Sequence, residues 1–352
     1  MKRNVRWVRG LVIVLLIMVS TACGAANTST DKTDTAAENA GNTSNASNES
    51  NTSNTSNAGD TGNTTADEAN QQRVVKTLKG DVSIPAEPNK IIGLSVVYPE
   101  FLYALGVTPI AVQNYHLDFP SYLKDSFKDT LKMGIARTPD FEAILASKPD
   151  LIIAPTWWSD KDYGQLSKIA PTVLLPQRDN WRDELRDIGE ILGKKEQAET
   201  VIKDLQVKEE EAKKKLDQLV GDETVLYMEI MDKEIFIYGE KSDRGKFIHV
   251  GLGLSSIKNF PQSENSLSIS LEKIPEYNPD HIILQMSDDA NQAVQDRYKE
   301  MMDSSLWKNM TAVKKNQVYL MGSKEWFNLG MSPLADSNAI DEVVHAFEDK
   351  QK

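Results

Sequence analysis

The sequence predicts an α/β protein with two Rossmann-like lobes, each built on a mostly parallel sheet, that are joined by one long helix. Short apolar segments alternate with short helical segments on either side of residues 179–220, a pattern typical of parallel sheets covered by helices. Within residues 179–220, apolar residues recur instead at the spacing of a helix face. A segment at residues 141–154, FEAILASKPDLIIA, returns in weaker form at residues 271–284 as LEKIPEYNPDHIIL. We therefore expect two related lobes on either side of the linking helices.

The expected boundaries place lobe one at residues 73–178, the linking helices at 179–220 and lobe two at 221–352. Lobe one begins with extended segments, and a buried strand is predicted at residues 91–95. Pro99 and Glu100 then favour the start of a short helix, because proline suits its first turn and a carboxylate complements the helix dipole. The strand VTPIAVQ comes next, followed by a helix that ends before Pro149 and by the strands LIIA and TVLLP.

The linking region contains a predicted helix at residues 194–220, which would be about 40 Å long at ~1.5 Å per residue. Three glutamates at 209–211 stand four residues ahead of three lysines at 213–215, an order that favours pairing along one exposed helix face. Lobe two is predicted to contain the strands TVLYMEI, EIFIYG and QVYLMG and helices at residues 245–251, 292–302 and 336–347.

The first 22 residues have the order of a secretion signal. A basic start precedes an apolar run at residues 11–19, which is too short to span a membrane. The small residues before Cys23, the only cysteine of the chain, resemble a bacterial lipobox, although Ser20 stands where an apolar residue is usual. We expect lipidation of Cys23, which would anchor the protein to the outer face of a cell membrane, as in a Gram-positive bacterium. An ordinary secreted protein with a free thiol is the alternative.

Residues 23–72 form a predicted stalk. From residue 25 to 72 the chain has no aromatic residue and no aliphatic residue larger than alanine, so it cannot bury enough apolar area to offset its chain entropy. A flexible segment of this length has a root-mean-square reach of roughly 40 Å.

The net charge of −12 and the pI near 5.0 argue against binding to nucleic acid. We expect a monomer.

The repeated segment aligns Glu142 with Glu272 and Asp150 with Asp280, without a gap. Related lobes would place the two glutamates on matching surfaces, each at a helix start where the dipole favours a carboxylate. The pair would then offer a two-point electrostatic contact, although each glutamate could instead only stabilise its own helix. Pro275 lies inside the second copy, so that element could be a kinked turn.

The chain resembles the substrate-binding lipoproteins of ABC importers for ferric siderophores, haem and cobalamin, over about residues 90–347. The resemblance rests on NKIIGLSVVYPEFLYALGVTPIAV, FEAILASKPDLIIA, LSKIAPTVLL, and VYLMG followed by SPLADSNAIDEVV. It implies a ligand held between two lobes. It also implies that Glu142 and Glu272 dock on arginines of an importer permease.

Ligands of open α/β sheets bind beyond the carboxyl ends of the strands, and aromatic residues follow four of the predicted strands. Each could be a flat apolar ligand contact or a core residue; the candidates are Tyr98, Tyr115, Trp157, Trp158 and Trp326. Arg137 precedes the Glu142 helix, a location that faces the cleft in the resembled family, and could bond iron-coordinating oxygens. Further polar candidates are Arg178, Tyr238 and Arg244.

Few arginines are available to compensate a triply anionic catecholate complex, so a ferric hydroxamate is favoured. Haem or cobalamin stays an alternative, because aromatic walls suit a macrocycle equally well. A direct zinc or manganese site would need converging ligands, whereas the four histidines are scattered. The chain lacks a G-x-S-x-G elbow and a P-loop, so no enzyme is predicted. No cofactor is expected beyond the iron of the bound chelate.

Overall fold

The structure is a computed structural model that describes residues 71–136, 138–261 and 263–350. The expected signal peptide, Cys23 and almost all of the stalk lie outside the described residues, as does Arg137. Among the described residues, no helix combines the length and apolar character needed to cross a membrane. The described chain opens with an antiparallel hairpin of two strands, β1 (Gln72–Thr77) and β2 (Gly80–Pro85).

Lobe one contains a five-stranded sheet in the order β5-β4-β3-β6-β7, and every neighbouring pair is parallel. Its strands are β3 (Ile91–Gly93), β4 (Ala111–Val112), β5 (Leu131–Lys132), β6 (Leu151–Pro155) and β7 (Thr172–Leu175). Its helices are α1 (Tyr98–Ala104), α2 (Ser121–Lys124), α3 (Phe141–Ser147), α4 (Thr156–Ser159) and α5 (Tyr163–Leu166). Every residue of β3, β6 and β7 is buried, as expected of parallel strands covered on both faces. The sequence prediction of a parallel sheet is confirmed here.

Two helices follow, α6 (Trp181–Ile191) and α7 (Lys195–Val220), and the predicted long helix is confirmed. The expected Glu–Lys pairing along α7 is wrong for two of its charged residues, because their partners lie on neighbouring helices. Glu209 accepts from Arg182 of α6 at 2.7 Å, and Lys215 pairs with Glu348 at 2.5 Å. These ion pairs join helices rather than successive turns of one helix.

Lobe two contains a mixed sheet in the order β10-β9-β8-β11-β12. Its strands are β8 (Val225–Ile230), β9 (Ile235–Tyr238), β10 (Ser266–Ile269), β11 (His281–Met286) and β12 (Val318–Leu320). Its helices are α8 (Asp243–Lys246), α9 (Gln292–Asp303), α10 (Ser305–Lys308), α11 (Thr311–Lys314) and α12 (Pro333–Asp349). Strands β8, β11 and β12 are parallel, whereas β9 and β10 pair antiparallel. The predicted helix at 245–251 is α8 followed by a π-helical turn, Phe247–Gly251.

The repeated Pro-Asp pair has the same structural function in both lobes. In lobe one, Asp150 accepts hydrogen bonds from the backbone amides of Asn89 and Lys90, each at 2.9 Å, just before β3. In lobe two, Asp280 accepts from the amide and the hydroxyl of Thr224, at 3.0 and 2.9 Å, just before β8. Each carboxylate thus joins the start of its own strand to the start of the neighbouring strand, and the doubled sequence reflects a doubled structural feature.

We expect Asp280→Ala to lower the free energy of unfolding by about 1–3 kcal/mol, because two donors of Thr224 would lose their acceptor. The backbone hydrogen bond from Thr224 lowers the pKa of Asp280. A carboxyl with a lowered folded-state pKa stabilises the fold above its unfolded pKa and loses that effect as pH falls through the folded one. Denaturant unfolding of the wild type and Asp280→Ala at neutral and acidic pH measures both the loss of stability and its pH dependence. The loss of unfolding free energy in Asp280→Ala should shrink at acidic pH. An equal loss at neutral pH and at a pH below both the folded-state and unfolded-state pKa of Asp280 would contradict this account.

Candidate ligand-binding cleft

A cavity of about 420 Å³ lies at the carboxyl ends of the lobe-one strands and reaches the facing loops of lobe two. The loop after β3, the β6–α4 junction and the segment from β7 into α6 supply most of its wall. Lobe two contributes Asp243 and residues between 327 and 331. This position is where an open parallel sheet leaves a crevice for ligands.

Trp157 and Trp158 line this cavity, as their position after a strand suggested. The Trp157 side chain is 62% exposed, so its indole is available as a flat apolar surface. Trp158 packs edge-on against it with ring centroids 5.5 Å apart. The buried Nε1 of Trp158 has no hydrogen-bond partner within the described part of the chain. The wall therefore presents the exposed indole of Trp157, whereas the unpartnered donor of Trp158 is buried.

Tyr115 contacts the other lobe at the edge of the cavity. Its ring stacks on Phe327 with centroids 4.6 Å apart, and Phe327 itself lines the cavity. His116 packs edge-on against the same phenylalanine at 5.2 Å, and its Nδ1 lies 3.8 Å from Asp288 of lobe two. Tyr115 and Phe327 both border a smaller adjoining cavity of about 30 Å³. This aromatic contact brings the two lobes together beside the main cavity.

Two of the predicted aromatic contacts lie in the core instead. Tyr98 and Trp326 are both fully buried, and neither lines the cavity. The Tyr98 hydroxyl donates to Glu184 Oε1 at 3.0 Å, so Tyr98 supports a cavity residue from behind. Trp326 Nε1 donates to Glu342 Oε2 at 2.7 Å. The position after a strand placed both residues near the cleft, but their rings point into the packed interior.

Arg244 and Tyr238 also lie behind the cavity wall and do not line it. The Arg244 guanidinium donates to the carbonyl of Trp326 at 3.0 Å and to the carbonyl of Phe327. It thereby holds the loop that carries Phe327. The Tyr238 hydroxyl donates to Glu229 Oε2. Burial and the Glu229 carboxylate raise the pKa of Tyr238, which keeps this hydroxyl protonated as a donor.

The charged groups on the cavity wall are mainly acidic. Among the described residues, the lining carboxylates are Asp179, Glu184 and Asp243, and the lining cation is Arg178. Arg178 forms a two-point ion pair with Asp187, with Nε and Nη2 at 2.7 and 2.8 Å from the two carboxylate oxygens. Burial raises the pKa of Glu184, although the hydrogen bond from Tyr98 opposes this effect.

A buried cluster around Glu100 connects α1 of lobe one to the segment before and within α12. Glu100 accepts from Asn328 Nδ2 at 2.7 Å and from the amide of Ala335 at 3.1 Å, and also from the Ser332 hydroxyl. Burial raises the pKa of Glu100, and these hydrogen bonds oppose that effect. Asn328 lines the cavity, so the Glu100 cluster positions part of its wall. The sequence indicated only a favourable helix start at this glutamate.

The structure places the two aligned glutamates differently from each other. Glu142 is exposed in the first turn of α3, as predicted, and the N-cap of this helix is Asp140, which accepts from the Ala143 amide at 2.9 Å. Glu272 is exposed in a turn before the short 3-10 helix Ile274–Glu276. The expected helix start at Glu272 is therefore wrong, whereas the alternative of a short turn around Pro275 is confirmed by the single 3-10 turn there.

No three His, Cys, Asp or Glu side chains across residues 71–136, 138–261 and 263–350 are grouped so that they could hold a metal ion.

Comparison with known proteins gives the class. The family model described as periplasmic binding protein matches residues 91–325, and the chain belongs to this family. It is 28% identical over 289 residues to the iron(3+)-hydroxamate-binding protein YxeB of Bacillus subtilis, covering 80% of this chain and 86% of that protein. It is 30% identical over 275 residues to the probable siderophore-binding lipoprotein YfiY of the same organism, covering 74% and 84%.

A solved structure extends the likeness to the fold. The crystal structure of Staphylococcus aureus SirA complexed with staphyloferrin B superposes with a TM-score of 0.66 at 27% identity, covering 78% of this chain and 98% of SirA. The resemblance drawn from the sequence motifs is thus confirmed at the level of family and fold.

Proposed function

We propose that this protein is an extracellular solute-binding lipoprotein that captures a ferric siderophore and delivers it to an ABC importer permease. The observation that carries the proposal is the cavity of about 420 Å³ between the strand ends of lobe one and the Phe327 loop of lobe two. Its size and its exposed Trp157 indole suit a bulky ligand with an apolar shell. The names of the relatives YxeB and YfiY support the same ligand class.

The charge of the cavity wall favours a hydroxamate complex. Three hydroxamates, each a monoanion, neutralise ferric iron, whereas three catecholates, each a dianion, leave a triply negative complex. Burying such an anion beside Glu184, Asp179 and Asp243 would be costly without several compensating cations. Arg178 is already paired with Asp187. We expect Arg137 to supply one cation to the oxygens that surround the iron.

Delivery and location complete the proposal. Glu142 and Glu272 are the two docking carboxylates for the permease, and both are exposed on surfaces of different lobes. A diacyl group on Cys23 would hold the protein on the extracellular face of the membrane, with residues 23–72 as a tether. We propose that the protein acts as a monomer, performs no catalysis and carries iron only within the chelate.

Tryptophan fluorescence of the purified protein tests ligand capture. A panel of ferric hydroxamates, ferric catecholates, ferric citrate, haem and cobalamin is titrated, and a ferric hydroxamate should bind with a Kd below about 1 μM. Tighter binding of a catecholate, haem or cobalamin would reject the hydroxamate class. Failure of every iron chelate to bind below about 1 μM would reject the siderophore function.

Trp157→Ala should weaken binding of the ferric hydroxamate by about tenfold, because a buried aromatic contact contributes on the order of 1–2 kcal/mol. Leu306→Ala is the matched control, since Leu306 is also a partly exposed apolar side chain but lies on α10, away from the cavity. Isothermal titration calorimetry of both variants measures the change. Equal affinity in the two variants would remove Trp157 from the ligand site.

A further inference from the structure

Glu184 offers a preorganised acceptor on the cavity wall. Its Oε1 is held by the buried Tyr98 hydroxyl at 3.0 Å, which fixes the carboxylate at the start of α6. Within the described part of the chain, no hydrogen bond or ion pair engages its other oxygen. A half-buried carboxylate interacts more strongly with an opposite charge than an exposed one does, because less solvent screens it.

Asn328 supplies a second, independent acceptor. Its side chain is only 3% exposed and lines the same cavity. The amide nitrogen donates to the Val96 carbonyl at 3.1 Å and to Glu100 Oε1 at 2.7 Å. These two acceptors fix the amide orientation and leave Oδ1 as an acceptor. The buried Oδ1 has no partner among the described residues, so a residue that lines the cavity carries an unsatisfied acceptor.

The described cations do not neutralise these acceptors. Arg178 donates from Nε and Nη2 to the two carboxylate oxygens of Asp187. Among the described lining residues, the carboxylates of Asp179, Glu184 and Asp243 outnumber the single cation. The cavity therefore combines apolar indole surface for the chelate shell with surplus negative charge, an environment that favours a cation over a neutral group.

We propose that this cavity selects ferric hydroxamates that carry a free ammonium group, and that Glu184 and Asn328 Oδ1 accept the ammonium protons. The inference rests on the proposed function and narrows its substrate class to cationic chelates. The iron-coordinating oxygens and the ammonium group then bind at different parts of one site. Glu184 contributes selectivity between chelates that have the same iron shell.

A matched pair of ligands tests this selectivity. The ferric complex of desferrioxamine B carries one free ammonium, whereas the ferric complex of its N-acetylated derivative has the same hydroxamates and no charge. Fluorescence titration of the purified chain at low salt should give about tenfold tighter binding of the ammonium complex, as one charge-assisted hydrogen bond provides. The ratio of the two affinities should fall toward one in about 0.5 M salt, because salt screens the charge pair.

The variant Glu184→Gln keeps an acceptor for the Tyr98 hydroxyl and removes the charge. It should lower the affinity ratio at least fivefold, and Asp243→Asn should lower it less. Glu190→Gln is the control on the same helix, since Glu190 pairs with Lys195 and lies outside the cavity; it should keep the wild-type ratio.

The outcomes separate the two proposals. Equal binding of both complexes by the wild type, or an unchanged ratio in Glu184→Gln, would overturn the cation selectivity and leave hydroxamate capture intact. Binding of neither complex, with tight binding of a ferric catecholate, would overturn the hydroxamate class and this inference together. If Glu184→Gln did not fold, an Asp243→Asn ratio equal to that of the wild type, or a salt-independent ratio, would overturn the inference.

Discussion

Cells that carry Glu142→Arg together with Glu272→Arg should lose uptake of the ferric siderophore, while the purified variant keeps its ligand affinity. Both carboxylates are exposed and neither lines the cavity. The Glu142 helix keeps its Asp140 cap, so the free energy of unfolding should change by no more than about 1 kcal/mol. Two arginines facing a cationic permease surface would replace attraction by repulsion, which costs several kcal/mol at an interface.

Uptake of radiolabelled iron chelate by cells measures the effect, and single reversals should give intermediate rates. Glu210→Arg with Glu211→Arg is the matched control. Both glutamates are exposed on α7, and the two substitutions change the net charge by the same amount. Its uptake should stay near the wild-type rate. Normal uptake by the Glu142 and Glu272 double variant would reject the docking role of the pair.

Replacement of Glu100 by alanine should lower the free energy of unfolding by about 3–5 kcal/mol. The donors of Asn328 and Ser332 would lose the Glu100 acceptor, and the Ala335 amide would keep only Ser332 Oγ; each unsatisfied buried group costs about 1–3 kcal/mol. The substitution also leaves a cavity between α1 and the start of α12. Denaturant unfolding gives the value, with the exposed Glu234→Ala as the control expected within about 0.5 kcal/mol.

The buried carboxyl of Glu100 also predicts a pH dependence. Because burial raises its folded-state pKa, its contribution to stability is present below the unfolded pKa and is lost as pH rises through the folded one. The difference in unfolding free energy between the wild type and Glu100→Gln should therefore shift in favour of the wild type as pH falls from about 7 toward the unfolded value. Asp336, whose pKa burial also raises, is present in both proteins and cancels. A difference independent of pH would contradict a raised pKa at Glu100.

The parts of the fold set by local pattern could be predicted from the sequence. The length of α7 follows from its apolar spacing, and the parallel order of lobe one follows from alternating strands and helices. The Pro-Asp repeat correctly indicated two related lobes, although the reason for its aspartates became visible only in the hydrogen bonds of Asp150 and Asp280. Strand β9 departed from the expected alternation because the short turn at residues 231–234 joins it antiparallel to β8 without a helix. Strand β10 also pairs antiparallel with β9, although α8 and the π-helical turn lie between them in the chain.

The candidate site was only partly predictable, since a position after a strand does not determine where a side chain points. Trp157 and Trp158 line the cavity, whereas Tyr98 and Trp326 occupy equivalent positions and are buried. The bond between Glu100 and Asn328 joins residues 228 positions apart, and no local signal reveals such a contact. Arg244 has the charge of a ligand contact, but backbone carbonyls of the Phe327 loop occupy its guanidinium.

Anomalous diffraction at the iron absorption edge, from crystals grown with a ferric trihydroxamate, tests the central claim most directly. We expect one iron peak inside the cavity bounded by Trp157, Glu184 and Phe327, with the chelate in contact with both lobes. An iron peak outside this cavity, or an empty cavity in crystals grown under conditions where the chelate binds in solution, would contradict the account.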